Sequence, residues 1–175
     1  MPPEDGFVPQ LQAWLAANGA DAVVLNAGVS GDTTAGGASR LDWALTPETD
    51  ALIVNLGGND LLRGIDPAAS KANLTAIMAG AKARGLPVLL VGMRGPGNYG
   101  EDYRLAFEAM FPDLAAEFGA DLLPDYFAPL MQAGQAGFDA GLMQADGIHP
   151  NREGVAAAVG AMGPAVLDLI GRVGG

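Results

Sequence analysis

Ala51-Leu52-Ile53-Val54-Asn55-Leu56-Gly57-Gly58-Asn59-Asp60 is an almost unbroken apolar run that stops at a pair of glycines. A continuous apolar run bounded by turn residues reads as a strand buried on both faces. Downstream, Asp66-Pro67 opens a helix, with Asp as N-cap and Pro in the first turn. That helix runs to about Arg84 and ends at Gly85. Pro87 to Met93 is the next strand, centred on Val88-Leu89-Leu90-Val91, and Arg94 to Gly100 is a loop rich in Gly and Pro. Residues 101–118 read as an amphipathic helix through Tyr103, Phe107, Met110, Leu114 and Phe118, before a short strand at Asp121-Leu122-Leu123. A helical turn fits 126–133, loop fits 134–150, and 152–171 closes the chain as a helix. Upstream, residues 6–18 place Phe7, Leu11, Trp14 and Leu15 on one helical face. Ala22-Val23-Val24-Leu25 reads as a buried strand, and Asn26 to Gly37 as a glycine-rich loop. Apolar strands alternating with helices predict an α/β fold with a parallel sheet covered on both faces. Ligands of such sheets bind beyond the carboxyl ends of the strands. The loops 26–37, 57–66 and 94–100 follow strands, and 134–150 is long enough to reach the same rim.

The 175 residues carry no linker, repeat or low-complexity block, so a single domain over 1–175 is expected. Half of them are apolar and 17% are charged, with 9 basic against 20 acidic side chains and a net charge of -11. Such an acidic surface disfavours nucleic acid and anionic membranes as partners, and its ordinary role is solvation. Cysteine is absent, which excludes disulfides, thiolate metal sites and cysteine nucleophiles. No apolar run approaches the roughly 20 residues of a membrane span, so an integral membrane protein is not expected.

The one histidine, His149, stands in Asp146-Gly147-Ile148-His149-Pro150. A lone histidine is more often structural than reactive. Here, however, an Asp three residues earlier, across a Gly, can fold back onto the imidazole within one turn. A carboxylate on Nδ1 would fix the tautomer and leave Nε2 as a general base. Asn59 has two readings: part of a tight turn with Asp60 as a cap, or an amide donor to a developing oxyanion. Gly31, in Ser30-Gly31-Asp32-Thr33-Thr34, is either part of a flexible loop or a place where a backbone N–H approaches substrate closely.

Together, Asn26-Ala27-Gly28-Val29-Ser30-Gly31-Asp32-Thr33-Thr34, Gly57-Gly58-Asn59-Asp60 and Asp146-Gly147-Ile148-His149-Pro150-Asn151 resemble the second, third and fifth blocks of the SGNH (GDSL-type) serine ester hydrolases. Arg94-Gly95-Pro96-Gly97-Asn98-Tyr99-Gly100 resembles the mobile loop of the bacterial thioesterase/lysophospholipase/arylesterase branch. The likeness runs from about residue 3 to about residue 165. It implies a three-layer α/β/α, flavodoxin-like fold. It also implies His149 as general base, Asp146 as its orienting acid, and the Gly31 N–H and Asn59 side chain as oxyanion donors. Asp60 would brace its loop, and Arg94, Asn98 and Tyr99 would close over the acyl group. The implied substrate is a small-molecule acyl ester or thioester, with no metal and no cofactor. Relatives are often exported, although composition does not fix a compartment. A nucleotide-binding flavodoxin-like domain is the rival for this fold class, but no phosphate-binding fingerprint is present.

The family's first block, a strand followed by Gly-Asp-Ser-Leu, has no counterpart here. The serines are Ser30, Ser39 and Ser70, none within Gly-Asp-Ser. Ser30 is the nearest to the inferred site, while Ser39 and Ser70 read as solvated or capping residues. Met1 stands where a relative's chain is leaving the nucleophile turn. The expectation is an N-terminally truncated domain without the nucleophile and without an interior strand of the sheet. A shortened gene start, separate supply of the segment, or loss of catalysis would each produce it. A sheet with such a gap would also pair with another copy, giving a homo-oligomer through that edge.

Overall fold

The computed structural model describes residues 2–95, 97–133 and 137–174. The chain resolves into two compact units, one formed by 1–26 and 126–170, the other by 27–125 and 171–175.

The second unit holds the sheet. Strands β1 (Leu52–Val54), β2 (Val88–Val91) and β3 (Asp121–Leu123) are parallel in the order β1-β2-β3. Leu52 lies opposite Val88, and Leu89 opposite Asp121. All four residues of β2 are buried, whereas β1 and β3 are largely half-buried. This is the burial expected of a central strand with two neighbours. The helices of this unit are α2 (Thr34–Ser39), α3 (Leu41–Ala44), α4 (Gly58–Leu62), α5 (Pro67–Ala83) and α6 (Glu101–Phe118). As the sequence implies, the Asp66 side chain caps α5 by accepting from the Ala68 N–H at 2.9 Å. Gly119 ends α6 in the left-handed conformation. Leu74, Ile77, Met78 and Ala81 of α5 and Phe107, Met110, Phe111 and Leu114 of α6 supply much of the buried core. Phe107 and Phe111 meet edge to face at 5.5 Å.

The first unit is built on α1 (Phe7–Ala17) and the long α7 (Arg152–Gly171). Trp14 of α1 packs so tightly on α7 that a Cβ added at Gly163 would sit 2.5 Å from its indole ring. The Gln10 amide donates to the Arg152 carbonyl at 3.1 Å, and Arg152 pairs with Asp5 at 3.4 Å. By length and composition α7 could cross a membrane, with a mean hydropathy of 1.6, so the expectation that no segment approaches that length is corrected. Its apolar residues Val155, Val159, Met162, Val166 and Leu169 are buried, which is the placement of a core helix.

Several boundaries differ from the sequence expectation. Residues 22–25 form no strand among the described residues, and Val23 and Leu25 are 81% and 61% exposed. A strand exists only as part of a ladder. Here the Gln12 side chain takes the ladder's place, donating to the Ala22 carbonyl and accepting from the Val24 N–H, both at 2.8 Å. The loops expected at 26–37 and 57–66 are shorter than expected because Thr34–Ser39 and Gly58–Leu62 are helical. Thr33 caps the first of these helices by accepting from the Gly36 N–H at 3.3 Å. Within 126–133 the helical turn shrinks to a 3-10 turn at Ala128–Leu130. Residues 134–136 of the expected 134–150 loop, and Pro96 of the 94–100 loop, lie outside the described residues.

Candidate functional site

The dyad His149–Asp146 stands on a short hairpin of the first unit. The base of the hairpin is an antiparallel bridge between Met143 and Pro150. The Gln144 N–H donates to the His149 carbonyl at 2.8 Å, and the Gly147 N–H to the Gln144 carbonyl at 2.9 Å. Gly147 has a φ of +65°, a left-handed conformation that glycine adopts without steric cost. Asn151 anchors the hairpin to α7: its side-chain oxygen accepts from the Gly154 N–H at 2.9 Å, and its amide donates to the Gly141 carbonyl at 2.8 Å.

Within this frame one oxygen of Asp146 accepts the N–H groups of Ile148 and His149, at 2.9 and 3.0 Å. The other oxygen lies 2.8 Å from His149 Nδ1. The His149 backbone N–H, its ring and the Ile148 N–H, in that order of effect, hold the Asp146 carboxyl far below its ordinary value of 3.8. The pair can therefore keep the imidazole in the tautomer with the proton on Nδ1 and a lone pair on Nε2. The ring is 65% exposed, which leaves Nε2 reachable.

In the second unit, Asn59 lies in the first turn of α4, directly after β1, and not in an open loop. Gly57 makes that junction with a φ of +122°, and the space where a side chain would begin is walled by Phe111 and Phe107 at 3.4 and 3.5 Å. The backbone angle is what calls for glycine, since the contacts a Cβ would make there are of ordinary van der Waals length. Asn59 is half-buried.

The adjacent Asp60 is fully buried. One carboxylate oxygen accepts from Thr34 Oγ1 at 2.5 Å and from Ser70 Oγ at 2.8 Å, and the other accepts from the Thr34 backbone N–H at 2.8 Å. Asn73 Nδ2 adds a donor to Thr34 Oγ1 at 3.1 Å. Asp60 thus ties α4 to α2 and α5, and this corrects the expectation that Ser70 is solvated or capping. Ser39 is exposed and donates to the Gly36 carbonyl at 2.8 Å.

Gly31 is exposed, with a φ of +78°, in a turn closed by the Asp32 N–H donating to the Val29 carbonyl at 3.2 Å. Arg40 braces this turn through its Nε, 2.7 Å from Asp32, and through Nη1 to the Ala27 carbonyl. Arg63 Nη2 donates to the Gly31 carbonyl at 2.9 Å. Arg40 and Arg63 went unmarked in the sequence, and Thr34 and Ser70 were given no part in this network, because their partners lie across turns or helices, where no periodicity points to them.

The 94–100 segment carries Arg94, 78% exposed and 3.5 Å from Asp125, together with exposed Asn98 and Tyr99. The Tyr99 hydroxyl donates to the Leu62 carbonyl at 3.2 Å, and its ring covers Gly64, whose Cβ would lie 2.8 Å from it. Glu108 on α6 accepts from the Gly95 N–H at 3.3 Å and pairs with Arg104 at 2.9 Å. The structure therefore joins Asp146 to His149, and Gly31 through Arg63 to the helix bearing Asn59.

Residues 2–157 match the GDSL-like Lipase/Acylhydrolase family. The chain is 45% identical to "Esterase TesA" of Pseudomonas aeruginosa over 146 residues, which are 83% of this chain and 70% of that protein. It is 41% identical over 131 residues to "Thioesterase 1/protease 1/lysophospholipase L1" of Escherichia coli K12, covering 74% of this chain and 60% of that protein. The match thus spans less than two thirds of that second relative. Among solved structures, "Crystal Structure of TesA" superposes with a TM-score of 0.86 at 38% identity, covering 97% of this chain and 91% of the other. The chain belongs to the GDSL-like lipase/acylhydrolase family, shares the α/β fold of its SGNH-hydrolase neighbours, and is by that family resemblance an ester hydrolase.

Proposed function

We propose that this chain carries the acid–base and oxyanion machinery for hydrolysing carboxylic esters or thioesters of acyl chains through a serine acyl-enzyme. The observation that carries the reading is the Asp146–His149 pair, with its carboxylate held by two backbone N–H groups and its imidazole at 2.8 Å. In this mechanism His149 Nε2 takes the proton of an attacking serine hydroxyl, and Asp146 stabilises the imidazolium that forms. The carbonyl oxygen becomes an oxyanion, met by the Gly31 N–H and the Asn59 amide. The imidazolium then protonates the leaving alkoxide or thiolate, and in the second half His149 activates water against the acyl-enzyme. Arg94, Asn98 and Tyr99 line the acyl side. Their exposure leaves them able to meet a substrate.

The hydroxyl is not supplied by a Gly-Asp-Ser within these 175 residues. Ser70 is buried and gives its proton to Asp60, and Ser39 gives its own to the Gly36 carbonyl. The reading therefore predicts at most residual turnover by the chain as it stands. Intact mass after incubation with a fluorophosphonate, beside hydrolysis of a short p-nitrophenyl ester, tests it. Both are run on this chain and on one joined to a strand ending in Gly-Asp-Ser-Leu. Labelling and turnover confined to the extended chain agree with the reading. Labelling of the unextended chain would mean another nucleophile, with Ser30 the first to mutate.

A second reading is a non-catalytic acyl-binding protein that pairs with another copy, and the exposed, unladdered Val23 and Leu25 favour it. Concentration-dependent dimerisation measured by sedimentation, with acyl binding and no turnover even after extension, would select it.

A further inference from the structure

β2 ends at Val91, so Arg94 leaves the sheet at the same edge as Asn59, which follows the neighbouring parallel strand β1. The residues on either side of Arg94 lie against α4. A Cβ added at Gly58 would sit 3.7 Å from Met93 Sδ, and one added at Gly95 would sit 3.4 Å from Leu61 Cδ1. Arg94 therefore stands beside the helix that carries Asn59, at the edge where parallel sheets bind their ligands.

An apolar acyl chain gives a guanidinium nothing to bond. Arg94 is 78% exposed, and its ionic neighbour Asp125 lies 3.5 Å from Nε. A charge-assisted hydrogen bond is roughly 2.7–2.9 Å long. Among the described residues the Arg94 N–H groups and the Asn59 amide make no side-chain hydrogen bond. Arg40, Arg84, Arg104 and Arg172, by contrast, each hold a carboxylate at 2.9 Å or less. With 20 acidic against 9 basic side chains, carboxylates are plentiful in this chain, yet the Nη fork of Arg94 takes none. We infer that Arg94 is a specificity residue, whose Nη fork receives an anionic group, phosphate or carboxylate, that the substrate carries apart from its ester carbonyl. The planar fork matches the paired oxygens of either anion. The inference rests on the ester-hydrolase reading of this edge.

The test is ligand titration by NMR on the full ¹⁵N-labelled chain and its Arg94→Gln and Arg94→Lys variants. The probes are two pairs, each differing in one anionic group: 1-octanoylglycerol 3-phosphate beside 1-octanoylglycerol, and monomethyl suberate beside dimethyl suberate. The first pair places the anion on the alcohol, the second at the far end of the acyl chain. Affinity is read from the Asn59 side-chain amide, and contact from the Arg94 Nε–H resonance. The charged member of at least one pair should bind roughly fivefold more tightly than the neutral one, the effect of an exposed ion pair, and should move the Nε–H resonance. The pair that discriminates identifies the end of the substrate that carries the anion. In Arg94→Gln the two members of each pair should bind alike. Arg94→Lys should keep part of the preference, because the charge remains without the fork. Comparison within a pair cancels any general change in affinity. A preference that survives in Arg94→Gln, or equal affinities within both pairs in the wild type, would overturn the role of Arg94 and leave the ester reading standing, because the Asn59 amide would still respond. No response to any of the four compounds would overturn the ester reading and this inference with it.

Discussion

Replacing Asp60 tests what ties α2, α4 and α5 together. The carboxylate is fully buried and accepts the Thr34 backbone N–H and the Thr34 and Ser70 hydroxyls at 2.5 to 2.8 Å. Asp60→Ala removes all three acceptor contacts at once. The hydroxyls can turn elsewhere, but the N–H cannot, and a buried donor left unpaired costs about 1–3 kcal/mol. Allowing for non-additivity within one network, the total is about 3–5 kcal/mol. Asp60→Asn keeps the shape. Its carbonyl can face the Thr34 N–H while its amide donates to the two hydroxyl oxygens, so the loss should be about 1 kcal/mol. With an m-value of about 2 kcal/mol/M, urea midpoints followed by circular dichroism should fall by roughly 2 M for Asp60→Ala and roughly 0.5 M for Asp60→Asn. Equal midpoints for the two variants, both within roughly 0.3 M of wild type, would refute the network as the tie between α2, α4 and α5.

Other outcomes follow from the hairpin. The Asp146 carboxyl should titrate by ¹³C NMR well below 3.8, because its ionised form accepts three hydrogen bonds. With a folded pKa below the unfolded one, its contribution to stability is present above the unfolded value and is lost as pH falls through the folded value. A titration midpoint near 3.8 would remove the basis for an oriented His149. Gly154→Ala would place a Cβ 2.1 Å from the Leu142 carbonyl oxygen, so backbone must move. The expected loss is about 2–3 kcal/mol in thermal or urea unfolding, with shifted His149 ring resonances. Unchanged resonances would show that the 142–151 hairpin is held independently of α7.

Much of the fold was legible because its cues are local. The apolar runs at 52–54 and 88–91, the Asp66-Pro67 helix start and its Gly85 stop each act within a few residues, and the structure keeps them. The Asp146–His149 pair was legible for the same reason: three residues and a left-handed glycine suffice to close it. Residues 22–25 show the opposite case. Their composition is that of a buried strand, but strand identity needs a neighbour, and the Gln12 amide occupies the hydrogen bonds instead.

Ser70, Thr34, Arg40 and Arg63 belong with 22–25. Their identities say only that a donor is present. Burial against Asp60, or reach to the Gly31 carbonyl, depends on how α2, α4 and α5 meet. The sequence by itself determined the family, the apolar runs of the three-stranded sheet and the Asp146–His149 pair, because short-range patterns encode them. Tertiary structure decided which acceptors the serine, threonine and arginine donors found, because a hydrogen bond between distant residues exists only once packing has brought its two ends together.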